Sequence, residues 1–287
     1  MQGDDLFLGG KVSRSHCFRL QRTVRSPQAT FELAPLAGVG PRGTMVGKLI
    51  EVWMVDFRDR HVVVTGGTGA LGTAVVVALI EAGAICHVPW RDAGEAERFD
   101  YREHKQVKLV GSIDLTDEAV ISRLYGEIPD LWASIHIAGG FAMSPAAKTG
   151  KDGLKQLVDT NLVSCFLCCS AAINVMSRSL QEGRIVNVAA RHALERRSGA
   201  GMVAYTASKA AVAALTVALS EEVAKEGILV NAVAPSIMDT PANRAAMPNA
   251  NHAAWPKVEE VAATILFLAS PENKVTRGAI VPVYGRS

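Results

Sequence analysis

From Arg60 onward the chain alternates short apolar runs with longer stretches of helical period. His61-Val62-Val63-Val64, Ala84–Val88, Val107–Val110, Leu131–Ile137, Ile185–Val188, Ile228–Val233 and Ala279–Val283 are brief and almost continuously apolar. A strand covered by helices on both faces reads this way, because it has no solvated side. Between them, Ala74–Ala82, a segment opened by Thr116-Asp117, Leu154–Met176, Ala210–Ala224 and Glu259–Ala269 place apolar residues at helical spacing. Regular strand–helix alternation predicts an α/β fold, a single-domain Rossmann-type doubly wound parallel sheet over residues 54–287. No internal repeat or low-complexity block interrupts it. Ala189–Met202 is expected as a loop, and the polar Pro235–Pro256 stretch as a lid at a strand's C-terminal end.

Residues 1–53 hold neither period. Basic residues (Lys11, Arg14, Arg19, Arg22, Arg25, Arg42, Lys48) are scattered among Ser, Pro and Gly. The expectation is a poorly ordered extension, with Met54 as a natural start. An organelle transit peptide is the other reading, and Asp4 and Asp5 speak against it.

Composition narrows the function. A net charge of +2 on 287 residues argues against a nucleic-acid or membrane-surface role, and no uninterrupted apolar run approaches the ~20 residues of a membrane helix. The five cysteines are few and unevenly spaced, which suggests reduced thiols and a cytoplasmic setting. Cys165, Cys168 and Cys169 share a helical face and, lacking a second pair or a nearby His, read as core; no metal is expected.

Three stretches carry chemistry. The first strand runs into Thr65-Gly66-Gly67-Thr68-Gly69-Ala70-Leu71-Gly72 and then a helix, the context in which glycines admit a pyrophosphate to a helix N-terminus. The second strand ends at Pro89-Trp90-Arg91, with Asp92 one step further on. An acid there would bond a ribose hydroxyl, whereas Arg91 suits a 2′-phosphate. Ala138-Gly139-Gly140 closes the fourth strand and suggests close backbone approach to a ligand. Asn161 lies mid-helix, where a buried amide must be bonded. Tyr205 and Lys209 stand one turn apart on a helix face, and a neighbouring ammonium lowers a phenol's pKa, so the pair can act as general acid/base.

With these residues in hand, the chain resembles the short-chain dehydrogenase/reductase family from about Asp56 to the C-terminus. Thr65–Gly72 is similar to its glycine turn, with Ala70 replacing the middle glycine. The resemblance implies that Asp114, followed by Leu115, contacts adenine, that Ala138-Gly139 ends its Asn-Asn-Ala-Gly stretch with His136-Ile137 replacing both asparagines, and that Pro235 and Thr240 pack on the nicotinamide. It implies Asn161, Tyr205 and Lys209 as catalytic: hydride comes from NAD(P)H, Tyr205 donates a proton, Lys209 lowers the Tyr205 pKa and bonds the nicotinamide ribose, and Asn161 holds a water.

The family's catalytic Ser is the departure. Counting thirteen residues back from Tyr205 gives His192; anchoring on Gly183–Asn187 gives Ala190, so no Ser. The strand anchor is preferred, because loops absorb insertions. His192 or Ser198 is then a substitute donor or an ordinary loop residue. The dihydropteridine reductase branch also lacks this Ser, and the chain resembles it in Gly66–Gly72, Ala138–Gly140, Gly201–Tyr205 and Asp239–Arg244 with Met247-Pro248 and Trp255. Ala190, His192, Met202 and Asn243 are the candidate substrate contacts. The expected activity is hydride transfer to a carbonyl or quinonoid small molecule, with NADP(H) favoured over NAD(H). The other class is a non-catalytic dinucleotide-binding sensor. The resemblance also implies a homodimer or homotetramer joined through the Leu154–Met176 and Tyr205–Ala224 helices.

Overall fold

The computed structural model describes residues 55–179 and 182–287. The extension expected over residues 1–53 lies outside them. In chain order the elements are β1 (His61–Thr65), α1 (Ala70–Glu81), β2 (Ile85–Pro89), α2 (Ala93–Glu97), β3 (Val107–Val110), α3 (Glu118–Gly126), β4 (Leu131–His136), α4 (Lys151–Val158), α5 (Ser164–Ser179), β5 (Gly183–Val188), α6 (Arg191–Leu194), α7 (Val203–Glu222), β6 (Ile228–Pro235), α8 (Pro241–Ala246), α9 (Val258–Ala269) and β7 (Ile280–Val283). All seven strands pair in parallel, in the order β3-β2-β1-β4-β5-β6-β7. This is the expected doubly wound sheet.

The central strands are buried along almost their whole length, which is why they read as unbroken apolar runs. One core packs α1 and α9 on the sheet through Val75, Leu79, Val261 and Ile265. The other gathers α3, α5 and α7 through Ile121, Tyr125, Cys168, Met176 and Val212. Lys151–Arg178 and Val203–Glu222 are long and apolar enough to cross a membrane by length and composition alone. Both pack against the sheet and bury the polar Asn161, Ser208, Lys209 and Thr216, as core helices do.

Four local expectations are corrected. The helix expected over Leu154–Met176 is two helices joined by a π turn, Asp159–Val163. Ile137 lies past the end of β4. The Ala189–Met202 loop contains α6, and the expected Pro89-Trp90-Arg91 strand end leaves β2 at Pro89 and runs into α2, capped by Asp92, whose Oδ1 accepts from Gly94 N at 2.8 Å. Short helices of four or five residues give too few turns for a period to show.

Candidate active site

A cleft of about 540 Å³ opens at the C-terminal ends of β1 and β4, where the strand order reverses. Gly66, Thr68, Ala70, Leu71, Gly72, Arg91, Asp114, Leu115, Ala138 and Gly139 all line it. Gly66 turns the chain with φ 68°, and a Cβ there would sit 2.7 Å from Ala138 N. The turn and the end of β4 are thus pressed together at a point only glycine permits. No side chain caps α1 and no acid stands in its first turn, so its first N–H groups face the cleft as an anion site. Arg91 and Arg98 both line the other end. Asp92, the neighbouring acid, is committed to capping α2. Asp114 accepts from Thr116 N at 2.9 Å and Thr116 Oγ1 at 2.7 Å, which holds its carboxyl below the usual range.

The cluster beyond the cleft is built by α7, β5 and the π turn. Buried Asn161 is bonded at every amide position. Its Nδ2 donates to Gly140 O at 3.0 Å and Ser208 Oγ at 2.9 Å, and its Oδ1 accepts from Gly140 N at 2.7 Å. Those bonds repay its burial. Lys209, buried, donates to Val188 O at 2.8 Å. A Cβ on Gly139 would meet Asn161 Oδ1 at 2.7 Å and Lys209 Nζ at 3.2 Å, so the strand end, the amide and the ammonium crowd one point. Phe141 lies edge-on to Tyr205 with ring centroids 4.9 Å apart. The Tyr205 hydroxyl has no hydrogen-bond partner among the described residues.

One electrostatic expectation is corrected. Burial pushes the Tyr205 phenol up to about 12, and burial also pulls Lys209 down to about 8. The Lys209 ammonium points its bond at the Val188 carbonyl, so no lowering of the Tyr205 pKa by Lys209 is resolved. Protonated at neutral pH, Tyr205 is set to donate.

Other expected contacts divide. Ala190 lies two residues past β5, as the residue before α6, and is buried. His192, a candidate substrate contact by sequence, stands on α6 with its ring centroid 6.2 Å from that of Tyr205. Met202 precedes α7 as its N-cap residue. Pro235 ends β6, and Thr240 caps α8 by accepting from Asn243 N at 3.2 Å; neither lines the cleft. Asn243 spends one Nδ2 hydrogen on Met238 O at 2.8 Å, which leaves its second N–H and its Oδ1. Arg98 was invisible to sequence reasoning, since only α2 turns it into the cleft.

His136 was missed as well. Its Nε2 lies 2.7 Å from Ser134 Oγ and its Nδ1 2.8 Å from Asn187 Oδ1, and Asn187 Nδ2 donates to Thr216 Oγ1 at 2.9 Å. This buried relay ties β4 to β5 and α7, support that a strand lacking the family's asparagines was not expected to have. The thiols of Cys165 and Cys169 also reach Asn187 Oδ1, at 3.3 and 3.5 Å. They are core residues as expected, but the nearby His that their reading excluded is present. The ligating atoms of His136, Cys165 and Cys169 lie within 4.8 Å of one another, and each already has a hydrogen-bond partner.

Comparison with known proteins agrees with this geometry. The short chain dehydrogenase family model matches residues 60–251. Galactitol 2-dehydrogenase of Rhizobium johnstonii is 35% identical over 239 residues, covering 77% of this chain and 92% of that protein. The crystal structure of gox2181 is similar with a TM-score of 0.74 at 28% identity, over 81% of this chain and 96% of the other. ElxO with NADP bound shares the fold, with a TM-score of 0.72 at 22% identity, over 79% and 98% of the two chains. A family match spanning the sheet from β1 past α8, around a cleft built by its glycine turn, leaves one conclusion: the chain is an oxidoreductase enzyme and belongs to the short-chain dehydrogenase/reductase family.

Proposed function

We propose that the protein reduces a small carbonyl or quinonoid substrate using NADP(H), with Tyr205 as the proton donor. The observation that carries this is buried Lys209 and Asn161 crowding Gly139, a residue of the cleft wall, with the unpartnered Tyr205 one helical turn before Lys209 on α7. The residues fit a dinucleotide: the Gly66 turn and the bare α1 N-terminus take the pyrophosphate, Asp114 the adenine side, and Arg91 with Arg98 a 2′-phosphate. When bound, the nicotinamide supplies the hydride. Tyr205 gives its proton to the substrate atom that gains negative charge. Lys209, fixed on Val188, offers its remaining hydrogens to the ribose, and Asn161 fixes the backbone at Gly140.

NADPH oxidation against a panel of carbonyl and quinonoid compounds, with dissociation constants for NADPH and NADH, tests the reading. Binding without turnover of any compound would favour a sensor instead. Unpaired buried thiols at Cys86, Cys165, Cys168 and Cys169 support a reducing, cytoplasmic setting.

A further inference from the structure

The proposed proton transfer leaves His192 unused, although it stands beside Tyr205. The two rings are nearly perpendicular, at 71°, with centroids 6.2 Å apart. His192 Nδ1 lies 2.7 Å from Ser198 Oγ. That hydroxyl has one hydrogen and donates it to the Glu195 carbonyl, 2.7 Å away. Ser198 therefore accepts from His192, so Nδ1 carries the imidazole's hydrogen and Nε2 the lone pair. Nε2 faces away from Ser198 and has no protein partner among the described residues. Burial, and secondarily the neighbouring Arg191, hold the imidazole below its ordinary range and thus neutral. Ala190 supplies no hydroxyl at the strand end. Tyr205 thus offers a donor and His192 an acceptor on neighbouring rings.

We propose that His192 Nε2 accepts a hydrogen bond from the substrate, so that the enzyme selects carbonyl compounds with a hydroxyl or N–H on the adjoining atom: α-hydroxyketones in reduction and vicinal diols in oxidation. The inference rests on Tyr205 being the proton donor. An α-hydroxyketone turns its carbonyl oxygen to Tyr205 and its hydroxyl to His192. A plain ketone sets a methylene against Nε2 and leaves that lone pair without a donor, and a methoxyketone sets an ether lone pair against it. Sites that bond a substrate hydroxyl reject analogues lacking it. His192 itself takes no proton in the reaction; it orients the substrate.

The test is kcat/KM with NADPH for 2-hydroxycyclohexanone, cyclohexanone and 2-methoxycyclohexanone. The methoxy compound keeps the inductive pull but has no hydrogen to donate. The wild type should favour the hydroxyketone over both by about tenfold or more. His192→Ala should bring the ratio near one, chiefly by loss on the hydroxyketone. Ser198→Ala frees the tautomer, so Nε2 can carry the hydrogen and plain ketones should gain. A wild-type ratio near one, or a preference unchanged in both variants, overturns the inference. Where no ring ketone turns over, the ratio is read from calorimetric dissociation constants of trans-1,2-cyclohexanediol and cyclohexanol with NADP+ present, and equal affinities overturn it. Tyr205→Phe separates the two readings. If it abolishes turnover of every compound, the Tyr205 assignment stands whatever the ratio; if turnover persists, that assignment itself falls.

Discussion

At the scale of single residues, the proposed reaction rests on Tyr205, Lys209 and the two cleft arginines. Tyr205 is the only polar group of the cluster with a free hydroxyl, whereas Lys209 and Asn161 are already anchored to backbone. Tyr205→Phe should therefore cut turnover by at least about 100-fold, the scale of a general-acid contribution, and leave NADPH binding nearly unchanged. Stopped-flow kinetics with a fluorescence titration of NADPH measures both, and turnover within a few-fold of the parent sinks the assignment. Arg91 and Arg98 should favour the extra phosphate together. Replacing either with Ala is expected to weaken NADPH about tenfold and NADH little, because only one cofactor carries the charge they meet. Equal losses for both cofactors would contradict that role. The spacing of Tyr205 and Lys209 was legible because both sit on one helix. Arg98 was not, because its place depends on a helix too short to leave a period, and His192 was legible as a candidate but its partner Ser198 was not.

Among the elements, the π turn and the pairing of β1 with β2 matter most. The π turn re-aims Asn161 from the body of a core helix onto Gly140 and Ser208, which turns a costly buried amide into a brace between β4 and α7. In β2, buried His87 lies against His61 on β1, with Nε2 and Nδ1 2.8 Å apart. Burial, then His61 and Lys108, holds His87 down to about 4, against roughly 6.5 in an unfolded chain. Between those two values the unfolded state binds more protons, so this contribution to stability is complete above pH 6.5 and is lost as pH falls toward 4. The loss is expected to reach about 3 kcal/mol. Urea midpoints at pH 7 and pH 4.5 should fall more for the wild type than for His87→Leu, and equal falls would show that His87 does not titrate with unfolding.

For the molecule as a whole, the described residues supply seven paired strands and the cleft lining from within 55–287. A chain shortened to begin at Met54 should keep its melting temperature within a few degrees and retain its activity. A large loss of either would mean that the extension packs on the catalytic domain. The helices expected to join subunits expose large apolar side chains: Leu154 on α4, Phe166 on α5 and Val217 on α7. Light scattering should find a dimer or tetramer, with Phe166→Glu shifting it toward monomer. An unchanged assembly in that variant would move the interface elsewhere.

The sequence by itself determined the parallel doubly wound sheet, the glycine turn after β1 and the Tyr205–Lys209 face. Each is a property of residues close in the chain: a run of apolar positions, a strand–turn–helix order, a spacing of four. Only the tertiary structure decided what those parts meet. His136, Asn187 and Thr216 bond because β4, β5 and α7 take one particular register, which no local pattern encodes. Lys209 reaches Val188 rather than Tyr205, and burial sets the charge of both, because desolvation depends on everything packed around a group. His192 comes to Tyr205 by the path of a loop, and the direction of its hydrogen is set by Ser198 and Glu195, six and three residues away.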